Sequence, residues 1–335
     1  TINYVGYTPY EAPVNSITGF VFTLSPGNNS LNDVVIVGYT TQKRSAVTGS
    51  VSVVDMNSMQ RTKSPDVIQS LQGQVSGVMI QGSTGQPGDA FQIVIRGPGT
   101  IGNIDPLYIV DGVPTKDITF LDGSDIQSIS VLKDAAATAI YGSRAANGVV
   151  IFTTKKGTKT NKSNVSVDYY TGITKPTRLP EMLNAGQYLT VKDMAWHNTA
   201  GNGSSATSPY AALKGAGSYA NTDWLDELFT TGTTNKLNVS ANGGSDKVQY
   251  YLSAGYFGAN GIVVENNDMY KRLNLRANIT ANITDRLTAG INFQLVNATQ
   301  DKLSSSGDAP GIIRHALLRP PVLSVYKDPS DPGYN

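Results

Sequence analysis

The sequence predicts an α+β domain followed by the first part of a transmembrane antiparallel β-barrel, with the end of a β-sandwich domain in front of both. Two patterns support this fold class. Residues 126–157 have the order strand, short helix, turn and strand, whereas residues 165–335 alternate apolar and polar side chains over long runs. Only 15% of the residues are charged, against about 25% in soluble domains.

The segment 126–157 is the centre of the predicted α+β domain. Ile126–Leu132 and Val149–Thr154 are rich in β-branched residues and predict two strands. Asp134 is placed to cap the Ala-rich turn between them, because its carboxylate can accept the free N–H groups of a first helical turn. Gly142 stands where a helix commonly ends in a left-handed residue. The segment contains no nucleophile–base pair, so we interpret it as scaffold.

Further elements are predicted before this segment. A helix begins with Ser64 as N-cap and Pro65 at its first position, and it ends near residues 71–73. Strands are predicted at residues 51–54, 75–80, 93–96 and 107–110. Three loops of irregular pattern accompany these strands, at residues 82–89, 98–105 and 113–120.

The beginning of the chain predicts a domain end and a tether. Residues 1–25 contain short strand-like runs punctuated by Pro and Gly, and residues 26–30 form a linker. Val34–Val37 is an apolar extended run behind this linker. Such a run can add a strand to an exposed sheet edge, or it can be an ordinary strand of the following domain. The residues alone leave both interpretations open.

Long alternating runs predict two hairpins in the second half. Residues 273–283 and 287–295 alternate around a turn at 284–286, and residues 237–242 and 248–257 form a similar pair. A tilted strand of about 9–11 residues crosses a bilayer. The alternative is a soluble β-sandwich with one solvated face, but strand length and the scarcity of Lys and Glu on the polar face favour the barrel. Residues 176–230 are irregular and predict a loop.

Composition and motifs predict neither a cofactor nor a catalytic site. The 26 basic and 25 acidic residues are balanced, which gives no footprint for nucleic acid. The chain has no Cys and only two His, His197 and His315, and it has no metal-binding motif. Residues 97–102 satisfy G-x-G-x-x-G, but no helix is predicted to begin there to bind a pyrophosphate. We therefore expect no metal, no cofactor and no enzyme.

Several motifs together resemble one family. They are Leu-Gln-Gly-Gln-Val-Ser-Gly-Val (71–78), Ile-Arg-Gly (95–97), Pro-Leu-Tyr-Ile-Val-Asp-Gly-Val-Pro (106–114), Lys-Asp-Ala (133–135), Thr-Asp-Trp (222–224), Gly-Gly-Ser (243–245) and Tyr-Lys-Arg (270–272). They resemble the plug domain and first barrel hairpins of SusC/RagA-type TonB-dependent outer-membrane transporters. Generic TonB receptors usually have Gly-Pro where Lys-Asp-Ala stands here, so the variant resembles the SusC branch.

The resemblance implies four parts. Residues 1–25 are the end of a carboxypeptidase-regulatory-like β-domain, 26–44 the linker and TonB-box region, 45–160 the plug, and 161–335 the first part of the barrel with extracellular loops. A plugged transporter barrel takes about 22 strands, and about 175 residues supply about six. We therefore expect the barrel to be incomplete in this chain.

The resemblance also implies a function and partners. Such proteins import glycan oligosaccharides or peptides across the bacterial outer membrane, gated by the plug. They work with a SusD-like surface lipoprotein as lid and with TonB, energised by ExbB/ExbD, and they lie in outer-membrane lipid. Two alternatives stay open: a siderophore- or cobalamin-type TonB receptor, and a secreted β-rich adhesion or binding module.

Two sets of site residues are expected from this resemblance. The segment predicted to contact TonB consists of Asp33, Val34, Val35, Ile36 and Val37. The three irregular loops are expected to face the extracellular side, and their candidate substrate-binding residues are Gln86, Asp89, Asn103, Asp105, Lys116 and Phe120. Amide and carboxylate groups can bond sugar hydroxyls or a peptide backbone, although Asn can equally serve only as a turn former.

Three charged residues of the plug have apolar or Gly neighbours in the sequence, namely Arg96, Asp111 and Arg144. A buried charge needs a partner. We therefore expect these side chains to be largely buried and to take part in ion pairs.

Overall fold

The structure, a computed structural model, describes residues 34–37, 40–43, 51–54, 56, 59, 66–82, 84–97, 102–199, 207–264, 268–303 and 311–326. For 34–37 and 40–43 it describes the backbone alone. The predicted β-domain end at residues 1–25 and Asp33 lie outside the described residues. The chain divides into two compact units: the first takes residues up to 81 and 91–155, and the second takes 82–90 and the residues from 156 onward.

The first unit contains the strands β1 to β9. Their bounds are β1 (Val34–Val37), β2 (Thr40–Lys43), β3 (Val51–Val53), β4 (Val78–Gly82), β5 (Phe91–Ile95), β6 (Leu107–Val110), β7 (Val113–Thr115), β8 (Ile126–Leu132) and β9 (Val149–Thr154). The helices α1 (Val67–Ser70) and α2 (Ala135–Thr138) and the 3₁₀ segments Gly123–Asp125 and Ala139–Ala145 lie between these strands. The main sheet has the order β3-β8-β9-β6-β7, in which only the β6–β9 pair is parallel.

Strand β9 is buried on both faces, which explains its nearly continuous apolar sequence. Val150 and Phe152 are fully buried in the larger core, together with residues of α1, β4 and β5. The alternate residues Val149 and Ile151 belong to a second cluster, which includes Ala137 of α2. The predicted strands at 126–132 and 149–154 are thus confirmed, and they pair with each other.

The connection between β8 and β9 begins with the helix cap that the sequence predicted at Asp134. The backbone N–H of Ala137 donates to the Asp134 carboxylate at 2.7 Å, so Asp134 caps α2. Gly142 has a positive φ of 70°, but the chain continues in a 3₁₀ segment to Ala145 instead of ending there. Lys133, which precedes the cap, donates from Nζ to the Ser76 carbonyl at 2.6 Å.

The prediction about the three charged residues is wrong for two of them. Arg96 and Arg144 are exposed. Arg96 lies just after the last residue of β5 at a φ of 57°, and turn residues lie at the surface. Asp111 is half-buried and starts the β6–β7 turn; its carboxylate accepts bonds from the Thr154 backbone N–H at 2.9 Å and from the Thr154 hydroxyl at 2.6 Å.

Several predicted boundaries are also corrected. The N-cap of α1 is Asp66, whose carboxylate accepts from the Ile68 N–H at 2.6 Å; Ser64 and Pro65 lie outside the described residues. Strand β4 begins at Val78, because residues 71–77 form turns after α1. Val113–Thr115, predicted as part of a loop, is strand β7, which an Asp111–Gly112 turn pairs with β6.

The second unit is built on one antiparallel sheet in sequential order. Its strands are β10 (Asn164–Thr174), β11 (Gly232–Gly244), β12 (Val248–Asn260), β13 (Met269–Thr284) and β14 (Leu287–Gln300). The two predicted hairpins are confirmed, with longer strands than expected. Short turns join β11 to β12 and β13 to β14 at one end of the sheet, the end at which β10 begins.

Helices lie in the connections at the other end of this sheet. They are α3 (Ala185–His197), α4 (Pro209–Ala216), α5 (Trp224–Leu228) and α6 (Ile312–Leu318). Residues 176–230 are therefore more regular than the sequence indicated. Asn184 caps α3 in a capping box with Gln187, and Ser208 and Asp223 cap the next two helices. In the described part of the chain, no helix has the length and apolarity needed to span a membrane.

Candidate functional site

The sheet of the second unit has an inverted distribution of polarity. On β13, Arg272, Asn274, Arg276 and Asn278 are at most 5% exposed, whereas the alternating Leu273, Leu275 and Ile279 are 36–47% exposed. A soluble sheet buries its apolar face and exposes its polar one. A membrane barrel strand does the opposite, because its apolar side chains face lipid. The burial pattern therefore favours the barrel over the soluble sandwich.

The apolar face continues across all five strands. Pairing aligns one row of side chains in register, namely Val167, Val239, Ala254, Leu275 and Leu295. The next row contains Tyr169 and Tyr256, which are 66% and 44% exposed. From Leu273 to Ile283 the strand rises about 33 Å, and a tilt of about 40° reduces this to about 25 Å, the height of a lipid-facing band.

The polar face of β13 carries two arginines, Arg272 and Arg276, which are 4% and 5% exposed. Arg276 donates a hydrogen bond to the Gln294 side chain on β14. Arg272, Asn274, Arg276 and Asn278 occupy alternate positions of one strand, so the alternation in the sequence already placed them on one face. They make a buried cationic and amide stripe.

A plug loop is part of the second unit. Residues 84–90, which we call the docking loop, connect β4 to β5 and contact the end of β14 and the residues after it. The Gln86 side chain bonds the Leu303 backbone twice: its Oε1 accepts from the Leu303 N–H at 2.8 Å, and its Nε2 donates to the Leu303 carbonyl at 3.2 Å. The Gln300 Nε2 donates to the Pro87 carbonyl at 2.8 Å.

Asp89 is the charged centre of these contacts. It is 9% exposed and lies 2.7 Å from the Nζ of Lys302. It also accepts hydrogen bonds from the Thr84 hydroxyl and, at 3.1 Å, from Gln300 Nε2. Burial alone raises the pKa of Asp89, but the hydrogen bonds from Lys302, Thr84 and Gln300 and the charge of Lys302 outweigh it and hold the pKa below 3.8.

The six predicted substrate-binding residues fall into three groups. The polar atoms of Gln86 and Asp89 are used in the docking contacts. Asn103, Asp105 and Lys116 are exposed, and each lies near the end of the main sheet where β6 begins. Phe120 packs against the larger core.

In the second group, Asn103 and Asp105 form hydrogen bonds with residues near them. The Asp105 N–H donates to the Asn103 side chain at 2.8 Å, which is the turn-forming role of Asn. The Asn147 amide donates to the Asn103 carbonyl at 2.8 Å, and Gln92 donates to the Asp105 carboxylate at 3.3 Å. Thr154, where the chain leaves the main sheet, is at the opposite end of the sheet from these residues.

The predicted TonB-contact segment forms a hairpin. Strand β1 pairs with β2 in a two-stranded sheet, with Val34 opposite Lys43 and Val37 opposite Thr40. Within the described residues this hairpin is separate from the main sheet, so β1 keeps one edge without a partner strand. Such an edge is what strand addition requires.

Within the part of the chain that the structure describes, the residues suited to a metal centre are not brought together. Among the described side chains, no group of three or more His, Cys, Asp or Glu could hold a metal ion. His197 lies 3.5 Å from Asp193 one turn earlier on α3.

Two glycines of the docking loop, Gly85 and Gly88, allow the cost of backbone strain to be measured separately from the cost of a steric clash. Gly85 and Gly88 have φ values of 82° and 81°, but a Cβ on Gly88 would lie 2.6 Å from Cγ of the Tyr270 ring, and a Cβ on Gly85 meets nothing within 4 Å. Gly85→Ala should cost about 1 kcal/mol of local opening free energy, and Gly88→Ala about 1–3 kcal/mol more. Hydrogen exchange at the Asp89 backbone amide measures the local opening free energy in both variants. Equal losses in the two variants would contradict the contact between Gly88 and the Tyr270 ring.

Similarity to known proteins agrees with this architecture. Residues 43–149 match the family model described as TonB-dependent Receptor Plug Domain. The chain is 33% identical to TonB-dependent receptor P3 of Formosa agariphila, over 97% of this chain and 31% of that protein. It is 31% identical to TonB-dependent receptor SusC of Bacteroides thetaiotaomicron, over 98% of this chain and 32% of that protein.

Solved structures are similar as well. The RagAB peptide importer in its open-open state superposes with a TM-score of 0.68 at 32% identity, covering 80% of this chain and 32% of that chain. Fold and sequence together define a plug domain followed by barrel strands, the architecture of TonB-dependent receptors. The chain belongs to the SusC/RagA-like TonB-dependent receptors, which are outer-membrane proteins. It spans about a third of the length of the curated relatives it matches.

Proposed function

We propose that the complete protein imports glycan oligosaccharides or peptides across the bacterial outer membrane through a plug-gated barrel. The observation that supports this most directly is the likeness to the RagAB peptide importer, at 32% identity over 80% of the chain. The relative named SusC supports the same class over 98% of the chain. The exposed apolar face of β10 to β14 fits a position in lipid.

The proposed mechanism is gated transport without covalent chemistry. TonB, energised by ExbB/ExbD, binds the edge of β1 and pulls, and a SusD-like lipoprotein closes the extracellular side. Asn103, Asp105 and Lys116 are the candidate plug residues for the substrate, because their side chains are exposed at one end of the main sheet. Gln86 and Asp89 hold the docking loop and are weaker candidates, since binding a substrate would break their existing bonds.

A siderophore receptor is the alternative within transport. The siderophore receptor PirA of Acinetobacter baumannii is 34% identical to this chain, but over only 36% of it. The relatives named SusC and P3 match over nearly the whole chain. The proposed substrate class is therefore glycans or peptides.

Deletion of the gene tests the proposal. The deletion strain is grown on panels of oligosaccharides, oligopeptides and ferric siderophores, each as the limiting nutrient, and complemented with the intact gene. We expect growth to fail on one member or class of the first two panels and to return on complementation. A defect confined to the siderophores would support the alternative, and normal growth on all three panels would contradict import as the function.

A further inference from the structure

Basic residues collect at the end of the second unit's sheet where the short turns lie. The segment that leads into β10 has lysines at positions 155, 156, 159 and 162, and no acidic residue occurs from 155 to 167. The β11–β12 turn adds Lys247, and the β13–β14 turn adds Arg286. The acidic residues of these two turns are Asp246 and Asp285. This end of the sheet therefore has an excess of positive charge.

The cations that belong to the second unit form a surface that we call the basic rim. It consists of Lys156, Lys159, Lys162, Lys247 and Arg286. All of these residues are exposed, and within the described part of the chain none of them makes an ion pair. Charges of one sign that are held close together raise the local potential and attract groups of the opposite sign. The basic rim is therefore suited to an anionic partner.

The segment that leads into β10 is held against β11 and β12 by close backbone packing. A Cβ on Gly157 would lie 2.1 Å from the backbone N of Tyr250, and a Cβ on Gly243 would lie 3.2 Å from the carbonyl oxygen of Lys162. The hydroxyl groups of Ser163 and Tyr250 are hydrogen-bonded to each other. The lysines of this segment therefore lie beside the β11–β12 turn and not on a free tether.

Hydrogen bonds also connect the two turns of the basic rim. The Asn282 backbone N–H donates to the Lys247 carbonyl at 2.7 Å, and the Asn282 Nδ2 donates to the Asp246 carbonyl at 2.6 Å. Asn282 lies near the end of β13, and the turn that contains Arg286 follows this strand. Lys247 and Arg286 thus occupy neighbouring turns whose backbones are fixed relative to each other.

The basic rim borders the apolar face of the sheet. Val248 follows Lys247 in the chain and is exposed. Leu287 follows Arg286 and is exposed as well. Ile283, where the lipid-facing band ends, precedes Arg286 by three residues, which span about 10 Å of strand. Long basic side chains at the end of an apolar surface extend their charged groups toward the lipid headgroups, so the rim lies at headgroup height.

We propose that the basic rim binds the phosphate groups of anionic phospholipids at the membrane surface on the side of the short turns. Each Lys or Arg near such a surface enriches anionic lipid about fivefold, which corresponds to about 1 kcal/mol. Charge alone would attract an acidic macromolecule as well, but the continuity of the rim with the lipid-facing band favours lipid. The bound headgroups fix the height of the sheet in the bilayer at the end where the chain enters β10. The proposal rests on the position of this sheet in the outer membrane and not on the imported substrate.

Lipid-specific fluorescence quenching in the complete receptor tests this proposal. In a background free of other cysteines, a small fluorophore is attached through Ile283→Cys, beside the rim, or through Leu273→Cys, at the opposite end of the lipid-facing band. The receptor is reconstituted into phosphatidylcholine bilayers that contain either brominated phosphatidylglycerol or brominated phosphatidylcholine. We expect phosphatidylglycerol to quench the fluorophore at residue 283 with an apparent affinity at least about fivefold higher than that of phosphatidylcholine.

Three variants show whether the rim causes this preference. The neutral variant combines Lys159→Gln, Lys162→Gln, Lys247→Gln and Arg286→Gln. It should remove the preference at residue 283 and leave quenching at residue 273 unchanged. A variant in which the three lysines are replaced by arginine should keep the preference, because the charge is retained. A variant with Asp246→Asn and Asp285→Asn should increase it, because negative charge is removed from the same turns.

The possible outcomes are distinct. All of these side chains are exposed, so urea unfolding of the variants in lipid vesicles should match that of the wild type. Equal quenching by the two lipids at residue 283 in the wild type overturns the proposal, and so does a preference that the neutral variant retains. Sedimentation of the wild type, but not of the neutral variant, with purified peptidoglycan in the absence of any lipid preference would assign the rim to the cell wall and also overturn it. None of these results bears on the proposed import function.

Discussion

Deleting residues 33–37 is expected to abolish uptake while leaving membrane insertion and substrate binding unchanged. The deletion removes β1, whose unpaired edge is the proposed docking edge for TonB. Because β1 pairs with β2 in a sheet separate from the main one, the loss of β1 should not disturb the folded core of the first unit. Uptake of the labelled substrate and binding to intact cells are the two measurements.

A deletion of equal length provides the control. Removing residues 26–30 shortens the linker by the same amount but keeps β1, so uptake should continue. Normal uptake without residues 33–37 would rule out TonB binding at this segment. Loss of both insertion and binding would instead support the second interpretation, in which the valines are a structural strand.

A charge in the middle of the apolar face is expected to destabilise the complete receptor strongly. Ile279 lies near the centre of the lipid-facing band, which extends from Leu273 to Ile283, and Ile283 lies on β13 next to the turn. Ile279→Arg should cost about 2–4 kcal/mol of unfolding free energy, and Ile283→Arg about 0–1 kcal/mol, because the penalty depends on depth in the bilayer. Urea unfolding in lipid vesicles measures the difference.

Comparing the two substitutions shows whether the apolar face of the sheet contacts lipid or water. Both substitutions introduce the same side chain on the same strand, and both sites are exposed, at 36% for Ile279 and 61% for Ile283. On a water-exposed sheet the two arginines would have similar, small effects. Equal and small costs would therefore contradict a membrane-facing sheet.

The elements that the sequence predicted correctly are those whose signals are local. Alternation over long runs identified the β11–β12 and β13–β14 hairpins, and β-branched runs identified β8 and β9. The helix α3 was missed because its surroundings are rich in Gly, Ser and Ala. Its capping signal was nevertheless present, as Asn184 followed three residues later by Gln187. Attention to caps in addition to periodicity would have found it.

The docking contacts could not have been predicted from local patterns. Gln86 and Leu303 are 217 positions apart in the chain, and no periodicity connects them. The same limit applies to Gln86 and Asp89 as candidate substrate residues, because an irregular polar loop looks alike in sequence whether its side chains bond a ligand or another part of the chain. Arg96 was misjudged because strand neighbours were assumed to bury it, whereas the chain turns there.

The Asp89–Lys302 pair determines which solution conditions can weaken the docking loop. Because the pKa of Asp89 in the folded protein is below 3.8, its contribution is fully present above that pH and is lost only as the pH falls through the lower folded value. Ordinary acidification outside the cell leaves the pair charged. Lys302 is 57% exposed, so dissolved ions do reach it. Ionic strength, and not acidity, is therefore the variable to which this contact responds.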